Sequence, residues 1–266
     1  MSSAPAPAKL NLALVVGPRR PDGKHEVATV LQRLALADTI ELEPAGEFAV
    51  EGFPEDTLVR SALETLAAGA GVPPHWHAHI TKQIPVASGL GGGSSDAATA
   101  LKLANATLER PLPPEELAQL GAALGADVPF FLAEGPQLGT VDGSTLVPLE
   151  LPQEYVVLLV LPDGDRKVST RAVYEDFDRR KSAHGFADRR ALLDSALTPP
   201  DLAAFPPNDL VSSPLAEELR QHGAFRADVS GAGPIVYGLF ADGFTAEAAG
   251  TDLRSRGRTW ITTPEW

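Results

Sequence analysis

Apolar and polar positions divide the chain into segments of different period. Residues 8–17 are small or β-branched with few polar interruptions and end at Gly17, which reads as a strand; "PRRPDGKHE" follows as a turn-rich connection. "VATVLQRLALADTIELEP" then reads as a second strand or a strand pair. Residues 56–70 carry apolar side chains three and four apart after an Asp-Thr start, the pattern of a capped amphipathic helix. "HWHAHITKQIP" alternates strictly, which puts Trp76, Ala78 and Ile80 on one face of a strand and His75, His77 and His79 on the other.

"SSDAATALKLANATL" and "PPEELAQLGAALGAD" read as helices, the second with proline at its start and glutamate in its first turn. "VPFFLAEG" is a short buried run, and residues 154–162, "EYVVLLVLP", form a continuous apolar strand. The second half continues as helices, then two strands around the turn of "FRADVSGAGPIVYGLF", then a helix over "TAEAAGTDLRS". No internal repeat appears. This irregular mixture favours an α+β class over regular βαβ alternation. The Pro-rich stretch "LVPLELPQE" marks a boundary, giving expected domains of 1–152 and 153–266.

Composition narrows the function. The 266 residues suffice for two modest domains with real cores. Cysteine is absent, which removes disulfides, thiolate nucleophiles and cysteine-ligated zinc and fits a cytoplasmic address. No basic leader or long apolar run suggests a signal peptide or membrane span. A net charge of −13, from 22 basic and 35 acidic residues, argues against nucleic acid or an anionic membrane as partner. An anionic small molecule would have to be held by backbone N–H groups and a few placed cations.

One segment is built for that. "PVASGLGGGSSDAATAL", residues 85–101, packs glycines between a strand and a helix, so that successive N–H groups and the helix dipole converge on an anion such as a polyphosphate. It is neither of two familiar phosphate loops. Gly93 is followed by Ser94, Ser95 and Asp96 rather than Lys and Ser/Thr, and Ser94 stands where a dinucleotide fingerprint needs its third glycine. A flexible linker is the competing interpretation. Lys9, the only charge in the first 18 residues, reads either as a partly buried cation seeking an anionic partner or as a strand-end lysine reaching water. Asp127 in "LGADVPFF", taken alone, reads as a turn or capping residue. The three histidines and "DRRKSAHGFADRR" read as solvated surfaces, the latter a helix face of mixed charge.

In order and spacing, "APAKLNLALVVGPRRPDGKHEVATVLQRLALADTIEL", "IPVASGLGGGSSDAATAL", "LGADVPFFL", "NDL" at 208–210 and "VSGAGPIVYGLF" resemble the galactokinase, homoserine kinase, mevalonate kinase and phosphomevalonate kinase superfamily. Within it they are most similar to the branch of the non-mevalonate isoprenoid pathway. The resemblance implies a two-domain α+β small-molecule kinase with its active site in the interdomain cleft. It also implies ATP and Mg2+ as cofactors, a cytidine diphosphate-linked methylerythritol as substrate, and a monomer or weak homodimer. By matching positions, Lys9 and Asp127 would be catalytic. Pro85, Val86, Ala87, Ser88, Gly89, Leu90, Gly91, Gly92, Gly93, Ser94 and Ser95 would hold the ATP phosphates. Asn11, Lys24, His25, Thr170, Tyr174, Gly231 and Gly233 would face the substrate, and no residue is assigned as a metal ligand.

Three positions depart from the family pattern: Lys24 replaces the aromatic residue of "DGYHE", "VDGST" at 141–145 replaces a Gly-x-Gly-Glu pattern, and Thr57 replaces an asparagine. Cytosine recognition through an aromatic ring is therefore weakened or rearranged, leaning on Tyr174 and His25. A kinase of the same superfamily acting on homoserine or a mevalonate-type alcohol, and a non-catalytic ligand-binding member, are the competing readings. RNA binding, suggested by the likeness of part of the fold to ribosomal domains, has the acidic charge against it.

Overall fold

A computed structural model describes residues 1–55, 58–164, 169–180 and 182–266. The expected helix cap at Asp56 and Thr57, and the departure at Thr57, lie outside the described residues. In chain order the elements are β1 (Ser2–Arg19), β2 (His25–Pro44), β3 (Ala49–Glu51), α1 (Leu58–Ala70), β4 (Trp76–Thr81), α2 (Gly92–Asn105), α3 (Pro114–Leu124), α4 (Val128–Leu132), β5 (Gln137–Thr140) and β6 (Thr145–Pro148). They continue with β7 (Val156–Pro162), α5 (Thr170–Arg179), α6 (Phe186–Ala196), α7 (Pro214–Gln221), β8 (Arg226–Val229), β9 (Val236–Phe240), α8 (Gly243–Asp252), β10 (Gly257–Thr262) and β11 (Pro264–Glu265). Helices and antiparallel pairings follow one another without βαβ regularity, which is the expected α+β class.

Contacts divide these elements into two compact units, each drawn from several stretches of sequence. One comprises Met1–Ala8, Leu36–Val86 and Gly91–Glu134; the other comprises Lys9–Ala35, Ala87–Leu90 and Gly135–Trp266.

In the first unit, residues 39–44 of β2 pair antiparallel with β4, and β3 adds in parallel to β4. The register sets Ile40 opposite Ile80 and Leu42 opposite Ala78, so the buried residues of both strands share one face. Trp76, Ala78 and Ile80 are buried while His75 and His79 are exposed, as alternation requires. Helix α1 buries Val59, Leu63 and Leu66 and packs on α2, whose Ala97, Leu101 and Ala104 are buried. Helix α3 starts with Pro114, Glu115 and Glu116, which suit the unpaired N–H groups and dipole of a helix start.

In the second unit, residues 29–31 of β2 pair with β5, β5 pairs with β6, and β11 pairs with β2. A separate antiparallel sheet runs in the order β10-β7-β9-β8. It buries Leu158, Val160, Val236 and Phe240 against α7 and α8. A smaller core joins Leu14, Val16, Val27, Phe177 and Leu210, with Tyr174 packed against it.

Two local expectations are corrected. The first strand begins at Ser2 rather than residue 8. Pro5 and Pro7, two residues apart, direct their missing N–H groups to the same side, so the other side of the strand keeps its donors. "DRRKSAHGFADRR" is not one solvated helix face: α5 ends at Arg179 and α6 starts after Gly185, whose φ of 76° suits glycine. Arg189 turns inward to donate to Asp209 at 2.9 Å and to the carbonyls of Ser182 and His184.

Candidate active site

Strand β1 carries a lysine where its surroundings are closed to water. Lys9 is 4% exposed, and its Nζ donates to Asn11 Oδ1 at 2.6 Å. Asn11 Nδ2 donates to Thr29 Oγ1 at 2.8 Å, and that hydroxyl donates to the Ala13 carbonyl. The chain of bonds fixes the asparagine so that its carbonyl oxygen meets the ammonium. A buried lysine is retained only where polar or charged partners compensate its desolvation, and the Asn11 amide is one such partner. The reading of Lys9 as a strand-end lysine reaching water does not match this burial.

The turn between β8 and β9 lies beside the same two residues. A Cβ placed on Gly231 would lie 3.1 Å from Asn11 Oδ1 and 3.5 Å from Lys9 Nζ, and its φ of 58° also favours glycine. Gly233 closes the turn through its N–H to the Ser230 carbonyl at 3.0 Å. Asn208 secures the turn from outside, with Nδ2 donating to the carbonyls of Val229 and Gly231 at 2.9 and 2.7 Å.

Part of the glycine segment rests on this turn. Ile235 N–H donates to the Ser88 carbonyl at 3.1 Å, Ser230 Oγ donates to the Gly89 carbonyl at 3.4 Å, and Lys9 N–H donates to the Leu90 carbonyl at 2.9 Å. Gly89, at φ 89°, brings its backbone so close that a Cβ would fall 2.7 Å from the Ser230 carbonyl oxygen. Ala87–Leu90 belong to the second unit; Pro85, Val86 and Gly91–Ser95 belong to the first. There Gly91 precedes α2 in a left-handed conformation, and Gly92, Gly93, Ser94 and Ser95 form the first helical turn. Ser88, Gly89 and Leu90 are thus tied to neighbouring structure and residues 92–95 to the helix, unlike a flexible linker. Ser95 Oγ is buried and has no hydrogen-bond partner, an unsatisfied polar group of the kind that ligand sites retain.

Asp127 belongs to the first unit and occupies the residue before α4, partly exposed, without making a capping bond to that helix.

A third group lies around the start of β2. The His25 and Tyr174 rings stack at 5.0 Å with 30° between their planes, and Phe177 meets His25 edge-on at 5.7 Å. Tyr174 comes from α5, where Thr170 is one turn earlier on the same side and exposed. Asp178, a further turn along, accepts from His25 Nε2 at 2.8 Å and from Arg19 at 2.6 Å. Partial burial works against the charged carboxylate, yet the bonds from His25 and Arg19 outweigh it and hold Asp178 below its usual range. A pocket of about 350 Å3 is lined by Pro18, Phe177, Asp178, Ser182, Ala183 and His184. Lys24 is 63% exposed in its side chain and pairs with Asp142 at 2.5 Å. Two of the departures from the family pattern, Lys24 and "VDGST", therefore meet in one ion pair.

The structure thus joins Lys9, Asn11, Gly89 and Gly231 in one arrangement and His25 with Tyr174 in another. Sequence reasoning missed Thr29 and Asp178, and gave no site role to Asn208 and Ser230 although both lie in the quoted motifs "NDL" and "VSGAGPIVYGLF". Asp178 was findable: it follows Tyr174 by four positions, so the two share a helix face. The partners of Asn208 lie 21 and 23 residues away and leave no local signal.

A mixed fold with an ordered glycine segment and a buried lysine is the frame of a small-molecule kinase, and the family comparisons define that class. The GHMP kinases N terminal domain matches residues 57–135 and the GHMP kinases C terminal domain matches residues 210–259. The chain is an ATP-dependent phosphotransferase of this two-domain class. A Salinispora tropica protein named 4-diphosphocytidyl-2-C-methyl-D-erythritol kinase is 38% identical, covering 93% of this chain and 86% of its own length. One of the same name from Salinibacter ruber is 35% identical over 94% of each chain. A crystal structure of 4-(cytidine 5'-diphospho)-2C-methyl-D-erythritol kinase superposes with a TM-score of 0.83 at 29% identity, covering both chains completely. The Methanococcus jannaschii mevalonate kinase shares the fold at TM-score 0.79 and 15% identity, covering 100% of this chain and 98% of that one. The chain belongs to the 4-diphosphocytidyl-2-C-methyl-D-erythritol kinase family.

Proposed function

We propose that this protein transfers the γ-phosphoryl group of ATP to the 2-hydroxyl of 4-diphosphocytidyl-2-C-methyl-D-erythritol. The observation that carries the proposal is the match, over more than nine-tenths of the chain, to relatives named for this one activity. The likenesses to solved homoserine and mevalonate kinases, at 15–18% identity, concern the fold alone.

Phosphoryl transfer needs positioning and charge neutralisation more than covalent chemistry. In the proposed reaction Asp127 accepts the proton of the 2-hydroxyl, whose oxygen forms a bond to the γ-phosphorus as the bond to the β-phosphate oxygen breaks and ADP leaves. Lys9, held by Asn11, stabilises the negative charge that develops at the reacting oxygen. The segment Pro85–Ser95 offers N–H groups to the ATP phosphates. Magnesium would accompany ATP. Among the described residues no cluster of three or more His, Cys, Asp or Glu could hold a metal, and Ser95 Oγ is orphaned. The orphaned Ser95 Oγ fits a metal ligand, and Ser95 would hold the ion, which would neutralise phosphate charge when bound.

The cytidine part is assigned to His25, Tyr174 and Thr170, with Lys24 in the place of an aromatic ring. The ammonium offers a cation–π contact to the base instead of a stack. Asp127→Asn tests the chemistry: turnover should fall by about 100-fold or more, the usual yield of a positioned proton acceptor, while ATP binding persists. Near-normal turnover contradicts the role.

A further inference from the structure

The most deeply buried charges outside the residues already discussed lie directly beneath the glycine-rich start of α2. Lys82, just beyond β4, bridges two carboxylates: its Nζ bonds Asp96 Oδ2 at 2.6 Å and makes a still shorter contact with Asp38 Oδ2. Both aspartates have no exposed surface, and the lysine side chain is 16% exposed. Asp38, at the inner end of a β2 segment, also accepts the N–H groups of Gln83 and Ile84, at 2.5 and 2.8 Å, through its other oxygen. It therefore holds the very residues that lead into Pro85. Asp96 lies in α2 one residue after Ser95. The helix backbone rests on the cluster: a Cβ on Gly92 would lie 3.3 Å from both Asp38 Oδ2 and Lys82 Nζ.

Two fully buried carboxylates around one ammonium are costly to desolvate, and apolar residues of similar size usually pack as stably. What an ion cluster adds is fixed geometry. Here the cluster joins the entry of the phosphate segment, through Asp38 and the 83–84 backbone, to its exit, through Asp96 on the first turns of α2.

We propose that Lys82 is a positioning residue for nucleotide binding: by bridging Asp38 and Asp96 it fixes where the first turn of α2 presents its N–H groups to the phosphates. The proposal rests on the reading of Pro85–Ser95 as the ATP-phosphate segment. Lys82 itself touches no phosphate in this account. Its charge state is secure: burial alone would depress the ammonium, but the bonds to Asp38 and Asp96 outweigh that and raise it. The groups facing it are those two carboxylates, with the Phe53 ring 5.7 Å away.

The test separates ATP binding from binding of the alcohol. In Lys82→Met the KM for ATP should rise by about 10- to 100-fold, the scale expected when a reacting group is misplaced by about 1 Å, while the KM for the cytidine-linked alcohol stays within about twofold. Lys82→Arg, which retains a cation able to bridge two carboxylates, should recover most of the ATP affinity. If Lys82→Met does not fold, the isosteric Asp96→Asn, assayed above about pH 8 where the wild-type Asp96 is ionised, must show the same split. An unchanged KM for ATP in a folded variant, or equal rises in both KM values, overturns the proposal. Hydrogen exchange on the wild-type protein, with and without ATP, distinguishes this failure from a failure of the phosphate reading. If ATP leaves exchange across residues 85–95 unaltered, the segment is not the phosphate site and both ideas fall; if ATP protects it and Lys82→Met keeps its ATP affinity, only the positioning role falls.

Discussion

Replacing Asn208 by alanine would remove the brace of the turn that sits beside Lys9 and Asn11. The amide makes three close bonds: Nδ2 donates to the Val229 and Gly231 carbonyls at 2.9 and 2.7 Å, and Oδ1 accepts the Leu210 N–H at 2.8 Å. Asn208 is buried and so are Val229 and Leu210, so water cannot readily replace those bonds. At roughly 1 kcal/mol for each lost bond the variant should be less stable by about 3 kcal/mol. For a chain of this size, with a urea dependence of about 3 kcal/mol per molar, the unfolding midpoint should fall by about 1 M. The bond from the Asn208 N–H to Asp228 at 2.9 Å survives the substitution, so the segment stays attached at one point. The surviving folded protein should show a second effect. With Gly231 no longer held, the Lys9–Asn11 pair loses its packed neighbour, and turnover should drop by about tenfold or more. Urea titration followed by fluorescence and circular dichroism, with steady-state kinetics well below the midpoint, measures both. A midpoint within about 0.2 M of wild type, equivalent to roughly 0.5 kcal/mol, would show that the turn is held by other means and refute the assigned role.

Lys24→Tyr should lower the KM for the cytidine-linked substrate by about tenfold, because stacking a base on an aromatic ring contributes roughly 1–3 kcal/mol; an unchanged or higher KM means that position 24 does not meet the base. A pH-dependent prediction concerns Asp96. Burial raises its carboxyl to about 7 against the lowering pull of Lys82, whereas the ordinary value is 3.8. The folded protein then binds more protons than the unfolded chain between about pH 4 and pH 7, and stability falls as pH rises through that window. Asp96→Asn does not titrate, so its stability relative to wild type should climb from about pH 4 to pH 7 and level off above; a difference that stays constant from pH 4.5 to 8 contradicts the assignment.

Much of the architecture is written locally. The alternation of Trp76, Ala78 and Ile80 specifies β4 because period-two burial needs no distant information. The same holds for α3, where Pro114 and two glutamates mark the start. Gly89 and Gly231 stand out because their backbone conformations exclude most other residues. What stays hidden depends on pairing across the sequence. Lys82 continues the parity of the buried face of Trp76, Ala78 and Ile80, but nothing local names its partners, which are 44 and 14 residues away. Asp38 was the available clue, an aspartate inside an apolar run, and such residues are buried only with partners. Lys24 looked anomalous because it replaces an aromatic residue of the family pattern; its counterpart Asp142, 118 residues further on, left no local signal. Arg189 misled for the same reason, since a charged stretch shows its charge but not the inward carboxylate that one member meets.

The central claim is that this chain phosphorylates a cytidine-linked alcohol. Purified protein incubated with ATP, magnesium and 4-diphosphocytidyl-2-C-methyl-D-erythritol should release ADP in step with a product one phosphate heavier, esterified at the 2-hydroxyl, while homoserine and mevalonate yield none. ADP release independent of the cytidine-linked alcohol, or faster phosphorylation of homoserine or mevalonate, would contradict it.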